Sequence, residues 1–160
     1  MKFNVDEVFE IALQIERNGQ KFYRRAAEFA PASTARFFEG LAAMEDDHEQ
    51  TFSEMRQKLT GREGSLAGDP QGWGATYLRA LAEGRIFDYQ SDPSASLSGA
   101  EDVEEVLRQA IELEKDSIFF YLGLKQLVPD EPGKARVDEI IEPEMSHIAT
   151  LHERLTGEGA

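Results

Sequence analysis

Apolar residues recur along the first part of the chain at alternating spacings of four and three, which is the period of one buried helical face. This face comprises Val8, Ala12, Ile15, Gly19, Phe22, Ala26 and Phe29. Asn4 can cap the helix, with Glu7 at the third helical position. Because Pro31 interrupts the pattern, the spacing predicts a helix over about 4–29.

Three further long helices are predicted from the same kind of pattern. The second covers about 33–60 and ends before Gly61. The third covers about 98–128 and is expected to open with a capping box at Ser98–Glu101. The fourth covers about 134–155, after a helix-breaking run that contains two prolines and a glycine.

The connection over 61–97 differs in composition, since glycines and prolines are scattered among its polar residues. Within it, 75–88 carries a short helical pattern. A connection this long can return the chain along the full length of a bundle, so that helices two and three run parallel. An up-down-up-down bundle would not need it. The sequence therefore predicts a single all-α domain over 1–160, a four-helix bundle with a long crossover between helices two and three.

Composition narrows the partners and the kinds of site. The chain has 31 acidic and 17 basic residues and a formal charge of −14, which disfavours nucleic acid as a partner. It has no cysteine, so thiolate metal sites and iron–sulfur clusters are excluded within these 160 residues. The first residues lack the apolar segment of a signal peptide, and no uncharged apolar run approaches the roughly 18 residues of a membrane span. A soluble cytoplasmic protein is therefore expected.

One polar pattern occurs twice: a glutamate on one helix, followed by Glu-x-x-His on the next. The first copy is Glu16 with Glu45 and His48, and the second copy is Glu114 with Glu144 and His147. The two single glutamates are 98 residues apart, and the two Glu-x-x-His pairs are 99 residues apart. This conserved spacing indicates a duplicated helix pair, with the polar residues as part of what was duplicated.

Each of these six residues falls on the predicted inner face of its helix. Glu16 and Glu114 have small residues one turn away, including Gly19 and Ser117, which leave room for ions and water. An i, i+3 spacing puts a carboxylate and an imidazole on one face, within reach of the same metal ion. Four inward carboxylates would be penalised by desolvation and mutual repulsion unless cations neutralised them. The pattern therefore predicts a site for two metal ions.

Other residues near the pattern receive simpler interpretations. Five acidic residues lie off the inner face and are expected to face solvent: Asp46, Asp47, Glu49, Glu112 and Glu142. His152 has no duplicate and is expected at the surface. Tyr23 and Tyr121 lie about 10 Å along the helix axis from the glutamates of their own helices, so core packing is favoured over a supporting role at the site. Met44 and Met145 are also interpreted as packing residues.

With these residues the chain resembles the rubrerythrin branch of the ferritin-like superfamily, from about Asn4 to Leu155. The resemblance implies a ferritin-like four-helix bundle that holds two iron ions, although manganese or zinc could occupy the same ligands. It implies that Glu16 and Glu114 are mainly terminal ligands and that Glu45 and Glu144 are bridging carboxylates. It also implies that His48 and His147 supply one imidazole to each metal ion.

Two features depart from the family pattern. Rubrerythrins carry a rubredoxin domain with a four-cysteine iron site, whereas this chain has no cysteine and would need an external electron donor. They also carry an extra glutamate three residues after the ligand of the third helix, and here that position is Ser117. The second departure weakens the case for rubrerythrin-type peroxide reduction.

The resemblance implies a di-iron carboxylate protein that reacts with O₂ or H₂O₂, as a ferroxidase or as a peroxide-reducing oxidoreductase. The alternative is a metal-binding module without turnover, or one that handles or stores iron, because ligands indicate binding more directly than catalysis. A homodimer is expected by analogy with the family, and a hollow storage shell is the third option.

Overall fold

The computed structural model describes residues 4–61, 72–83 and 88–157, and within these ranges its only regular elements are helices. They are α1 (Val5–Phe29), α2 (Ala32–Leu59), α3 (Trp73–Ala82), α4 (Val103–Leu127) and α5 (Glu131–Thr156), with a 3-10 turn at Pro93–Ser96. None of the helices in these ranges combines the length and apolarity that spanning a bilayer demands. The predicted all-α fold class is confirmed.

The first helix begins where the sequence predicts. Glu7 N–H donates to Asn4 Oδ1 at 2.9 Å, and Asn4 N–H donates to Glu7 Oε2 at 3.2 Å. This reciprocal pair satisfies two amide donors at the start of the helix. Only Ala30 and Pro31 separate α1 from α2. The first helix ends at Phe29 because a proline disfavours helical backbone at the residue before it, here Ala30.

The predicted start at Ser98 of the third long helix, which is α4 in the structure, is wrong. The Glu101 carboxylate accepts hydrogen bonds from Ser98 N–H at 2.7 Å and Gly99 N–H at 3.0 Å, which closes a separate turn. Gly99 has a φ of 95°, a left-handed conformation that cannot continue a right-handed helix. The helix begins after Asp102, which forms its own capping box with Glu105.

The last helix, α5, starts earlier than predicted. Asp130 Oδ1 accepts the N–H of Gly133 at 2.7 Å, which caps a helix that begins at Glu131. Pro132 lies in the first turn, where a backbone N–H has no helical partner and a proline is tolerated.

The short helix of the crossover, α3, runs over Trp73–Ala82, so the predicted range of 75–88 is wrong at its end. Asp88 is not helical: its carboxylate accepts Gln90 N–H at 3.0 Å and Ser91 Oγ–H at 2.6 Å. These bonds hold a turn instead, as is common for aspartate. Residues 84–87 lie outside the described ranges.

Contacts between helices define the direction of each helix in the bundle. Arg56 near the end of α2 contacts Asp6 near the start of α1, so these helices are antiparallel. Arg25 near the end of α1 donates to Leu97 O, just before α4, so α1 and α4 are also antiparallel. Because α2 and α4 both run opposite to α1, they are parallel to each other. The predicted long crossover between them is confirmed.

The buried apolar residues form two separate clusters, one toward each end of the bundle. The first includes Val8, Phe9, Phe52, Phe120 and Val137. The second includes Phe22, Phe38, Leu107 and Leu151. Burying each such side chain stabilises the fold by about 1.5–3 kcal/mol. A layer of polar side chains separates the two clusters at mid-height, where further apolar burial would have been more favourable for stability alone.

Candidate metal centre

The polar layer contains the six residues of the duplicated pattern, which the structure brings together in the middle of the bundle. They are Glu16 on α1, Glu45 and His48 on α2, Glu114 on α4, and Glu144 and His147 on α5. None of the six exposes more than 7% of its surface. An isolated buried charge is costly, so carboxylates this deeply buried require partners.

The first group of four side chains consists of His48 and the three carboxylates around its imidazole. His48 Nδ1 lies 3.0 Å from Glu144 Oε1, 3.6 Å from Glu16 Oε2 and 3.7 Å from Glu45 Oε2. Every residue of this group offers a ligand atom within 4.8 Å of the ligand atoms of the others. These atoms could therefore coordinate one ion.

A second group surrounds the imidazole of His147. Its Nδ1 lies 3.3 Å from Glu114 Oε1, 3.4 Å from Glu144 Oε2 and 3.8 Å from Glu45 Oε1. The ligand atoms of these four residues also lie within 4.8 Å of one another. The second group could hold another ion in the same way.

The two groups share Glu45 and Glu144, and each of these carboxylates divides its oxygens between the two imidazoles. Glu45 directs Oε2 to His48 and Oε1 to His147, while Glu144 directs Oε1 to His48 and Oε2 to His147. The two imidazole rings lie 6.1 Å apart. This arrangement suits two neighbouring ions joined by two carboxylates. It agrees with the bridging roles that the family resemblance implies for Glu45 and Glu144.

The carboxylates of the cluster oppose one another electrostatically. Burial raises the pKa of Glu45 and Glu144 well above the usual value, and the nearby carboxylates raise it further. Burial and the charge of Glu144 also raise the pKa of Glu16. The cluster thus favours either protons or metal cations between its oxygens.

The pKa values of the two imidazoles are raised as well, but for a different reason. Burial disfavours their charged forms, but hydrogen bonds with the surrounding carboxylates prevail and raise the pKa of His48 to about 12 and of His147 to about 10. Burial pushes the pKa of Glu114 up, yet hydrogen bonds with Glu144 and His147 outweigh burial and lower it. Without metal ions, both imidazoles are therefore protonated on both ring nitrogens and positively charged at neutral pH.

The residues present fit divalent cations. Three cluster oxygens are buried and have no hydrogen-bond partner among the described residues: Glu16 Oε2, Glu114 Oε2 and Glu144 Oε2. An unsatisfied buried carboxylate oxygen is unfavourable, and a cation would satisfy it. Carboxylate and imidazole donors suit iron, manganese and zinc.

Comparison with known proteins agrees with this geometry. The sequence matches the rubrerythrin family over residues 7–155, almost the whole chain. The chain belongs to the rubrerythrin family. Its fold matches a crystal structure from Thermotoga maritima described as a ferritin-like diiron-carboxylate protein, with a TM-score of 0.72 and 25% identity over 97% of this chain and 96% of that one. No curated protein matches the chain.

In this rubrerythrin-family protein two tyrosines contact the cluster, which corrects the prediction of core packing alone. Tyr23 on α1 donates its hydroxyl hydrogen to Glu114 Oε1 on α4 at 2.5 Å, and Tyr121 on α4 donates to Glu16 Oε1 on α1. Each tyrosine is far from the glutamate of its own helix but level with that of the antiparallel neighbour. Burial and the neighbouring carboxylates raise the pKa of both hydroxyls, so both remain donors.

A cavity of about 130 Å³ lies between α1 and α4, next to the cluster. Glu45 and Glu114 form part of its wall. The rest includes three pairs related by the duplication: Ile15 and Leu113, Asn18 and Asp116, and Gly19 and Ser117. A Cβ atom at Gly19 would lie 3.3 Å from Glu45 Cδ, so the glycine keeps this wall open.

The crossover covers the outer side of this cavity. Tyr89, Ser91 and Pro93 belong to its lining. Asn18 Nδ2 donates to Tyr89 O at 2.7 Å, and Asn18 Oδ1 accepts from Gln14 Nε2 at 2.8 Å. The Asn18 side chain thus ties the crossover to α1 and fixes the cover over the cavity.

The interpretations of the remaining polar residues are mostly confirmed. His152 is exposed, as are four of the five acidic residues expected in solvent: Asp46, Asp47, Glu112 and Glu142. Glu49 is partly buried, because its carboxylate accepts hydrogen bonds from Gln20 Nε2 at 2.6 Å and Arg17 Nε at 2.8 Å. The expectation that Glu49 faces solvent is therefore wrong.

The interpretation of two methionines as packing residues is wrong. Met44 exposes 39% of its surface and Met145 exposes 58%. Both lie next to an inward glutamate in sequence, and on a helix adjacent residues point about 100° apart, away from the same core. The Met44 sulfur nevertheless lies 3.3 Å from His147 Nε2.

Sequence reasoning missed two polar residues that support the site. Gln20 is buried on α1, and its Nε2 reaches both Glu49 Oε2 and the backbone oxygen of Glu45. Asn18 holds the crossover. The position of Gln20 in the sequence could have indicated this role, because it lies one turn after Glu16 on the same apolar face of the helix.

Proposed function

We propose that this rubrerythrin-family protein is a di-iron carboxylate protein that uses O₂ or H₂O₂ as oxidant, as a ferroxidase or a peroxide-reducing oxidoreductase. The observation that carries this proposal is the division of the Glu45 and Glu144 oxygens between two imidazoles. Two shared carboxylates would hold a pair of ions close enough to act on one small oxidant.

The groups of residues around His48 and His147 indicate which side chains would hold each ion. Glu16 and His48 would hold one ion, Glu114 and His147 the other, and the shared carboxylates both. Each iron ion bound there can give one electron, and carboxylate-rich ligation favours the ferric state that results. Manganese or zinc could occupy the same donors, but zinc lacks this redox chemistry.

The hydroxyls of Tyr23 and Tyr121 hold the terminal carboxylates in place. Each donates to one oxygen of Glu114 or Glu16, which orients the other oxygen. Orientation by such outer partners strengthens a ligand site. Since both hydroxyls keep their protons, neither adds a negative charge to an already acidic cluster.

The cavity between α1 and α4 supplies a place for the oxidant. It reaches Glu45 and Glu114, and its volume of about 130 Å³ admits a molecule as small as O₂ or H₂O₂. Apolar wall residues such as Ile15 and Leu113 limit the water that enters with it.

Rapid mixing of the anaerobic Fe(II)-loaded protein with O₂ or H₂O₂ tests the proposal. We expect ferric absorption in the near ultraviolet and matching consumption of oxidant. Glu142→Ala, an exposed position on the same helix as Glu144, is the matched control and should behave like the wild type. If the protein binds Fe(II) at the cluster but oxidises no faster than free Fe(II), the proposal fails.

A metal-binding module without turnover is the second candidate, and Ser117 favours it. The family's extra glutamate is absent there, and the Ser117 hydroxyl donates to Leu113 O at 3.0 Å instead of to the cluster. This candidate predicts strong thermal stabilisation by added metal with little oxidant consumed.

Substitution of Ser117 by glutamate separates the two candidates. Ser117→Glu puts a carboxylate into the cavity wall beside Glu114. If the proposed oxidation is limited by this missing ligand, the variant should consume H₂O₂ faster than the wild type while binding the same number of ions. An unchanged low rate in both proteins would favour the module without turnover.

The partners of this reaction are also proposals. These 160 residues contain no cysteine, so reduction of the iron would come from an external electron donor. We expect a homodimer, and the mass of the native assembly measured by light scattering decides between a dimer and a storage shell.

A further inference from the structure

The second ring nitrogen of His147 contacts a methionine sulfur. His147 directs Nδ1 to the carboxylates, while its Nε2 lies 3.3 Å from the sulfur of Met44. Metal-binding histidines usually donate this second N–H to a carboxylate, a backbone carbonyl or water. A thioether sulfur is a much weaker acceptor. The hydrogen bond behind His147 is therefore unusually weak.

This contact joins the two halves of the duplicated chain, because Met44 lies on α2 and His147 on α5, and the duplication does not repeat it. The spacing of 99 residues that relates His48 to His147 relates Met44 to Pro143. The proline ring carries neither a donor nor an acceptor. At the equivalent position of the second half, the side chain thus cannot form the same contact.

Met44 lies at the surface of the bundle. The residue is 39% exposed, whereas Met55 is 3% exposed within the apolar core. Met145 is 58% exposed and provides a comparison on the neighbouring helix. Met44 therefore combines access from solvent with contact to a buried cluster residue.

We propose that Met44 is an oxidation site through which hydroperoxides strengthen metal binding at His147. A sulfur lone pair attacks one oxygen of H₂O₂, the S–O bond forms and the O–O bond breaks. The other oxygen leaves as water after taking the proton of the attacked oxygen. Sulfur loses two electrons and the peroxide gains them, so the products are methionine sulfoxide and water.

The sulfoxide oxygen changes the partner of His147. It is a stronger acceptor than the sulfur and stands one bond from it, within reach of the Nε2 hydrogen. A stronger acceptor fixes that hydrogen on Nε2 and makes Nδ1 a better ligand. Release of metal from this side should slow by about tenfold, the lower end of what such outer partners contribute. The inference rests on metal binding by His147 but not on turnover of the oxidant.

The first experiment locates the oxidation in the metal-free protein of 160 residues. After treatment with H₂O₂, peptide mass spectrometry should show one added oxygen on Met44 and on Met145, with Met55 unchanged. Oxidation of Met145 without oxidation of Met44 would overturn the proposal.

The second experiment measures release of Zn²⁺, a redox-inert probe, to a chelator. In a Met145→Leu background, peroxide-treated protein should release Zn²⁺ more slowly than untreated protein. Met44→Gln, whose amide oxygen is a comparable acceptor, should show slow release without peroxide. Met44→Leu should show no effect of peroxide.

Equal release by the treated, untreated and Met44→Gln proteins would overturn the proposal. That result leaves rapid iron oxidation untouched, so it is distinguishable from failure of the proposed function. A protein that takes up Zn²⁺ but does not consume oxidant would remove the proposed function alone. A protein that retains no Zn²⁺ would overturn both.

Discussion

The two halves of the bundle, α1–α2 and α4–α5, carry the same ligand residues in different surroundings. Glu16, Glu45 and His48 are repeated as Glu114, Glu144 and His147. Around them, Gly19 corresponds to Ser117, Asn18 to Asp116 and Met44 to Pro143. The six candidate ligands and the tyrosines that contact them, Tyr23 and Tyr121, are present in both halves, while residues around the cavity and next to Glu45 and Glu144 differ. The two metal positions are therefore similar in donors but unequal in environment.

The inequality appears in the electrostatics of the two halves. Burial and Glu144 raise the pKa of Glu16, whereas hydrogen bonds lower that of Glu114. The pKa of His48 rises to about 12 and that of His147 to about 10. Asn18 is neutral and holds the crossover, but its counterpart Asp116 is half-buried, and burial followed by the charge of Glu112 raises its pKa to about 6.

The largest effect is expected from removal of a residue that serves both halves. Glu144→Ala should lower the affinity for both ions by more than about 100-fold, since outer partners alone contribute 10–100-fold. Glu16→Ala should mainly affect the ion next to His48. Elemental analysis after dialysis gives the metal content of each variant, with Glu142→Ala as control. Retention of two ions by Glu144→Ala would show that this carboxylate is not shared.

The reciprocal tyrosines test whether both halves support their ligands equally. Tyr23→Phe and Tyr121→Phe each remove one donor to a terminal carboxylate, so each should weaken metal binding by about tenfold. Chelator competition measures this loss, and Tyr77→Phe on the surface of α3 is the control. Loss in only one of the two variants would mean that the symmetric contacts do not have symmetric roles.

Binding should release protons, because ions replace the hydrogens on the imidazoles. With the pKa of His48 at about 12 and of His147 at about 10, both hold protons at pH 7 when no metal is bound. Affinity should therefore fall as the pH falls, by about tenfold per pH unit for each proton displaced. Calorimetry in buffers of different ionisation enthalpy counts these protons. Metal binding with no proton release would contradict the raised pKa of both histidines.

The smallest effect concerns Gly19, where the first half lacks the Cβ that Ser117 has in the second. Gly40→Ala should stabilise the protein by about 1 kcal/mol, since its Cβ would meet nothing within 4 Å. Gly19→Ala should gain less, because its Cβ would lie 3.3 Å from Glu45 Cδ. Urea unfolding of the metal-free variants measures the difference. Equal stabilisation by both substitutions would show that the Glu45 side chain moves away from the new Cβ at little cost in free energy.

Much of the fold could be predicted because its causes are local. The period of α1 and its Asn4–Glu7 cap involve residues within one or two helical turns. The start of α4 was missed because Ser98 and Glu101 also form a capping-type pair, and only the left-handed Gly99 shows that this pair closes a turn. Such a local pattern fits both a turn and a helix start, and the backbone conformation of the folded protein determines which of the two forms.

The sequence by itself determined the four long helices, the crossover and the six residues that face the centre, since helical period and duplicated spacing specify which side chains share a face. Only the tertiary structure decided which neighbours those residues have. The contacts of Tyr23 with Glu114 and of Met44 with His147 join residues 91 and 103 positions apart on different helices. Such contacts depend on the relative height and rotation of packed helices, which no periodicity within a single helix encodes.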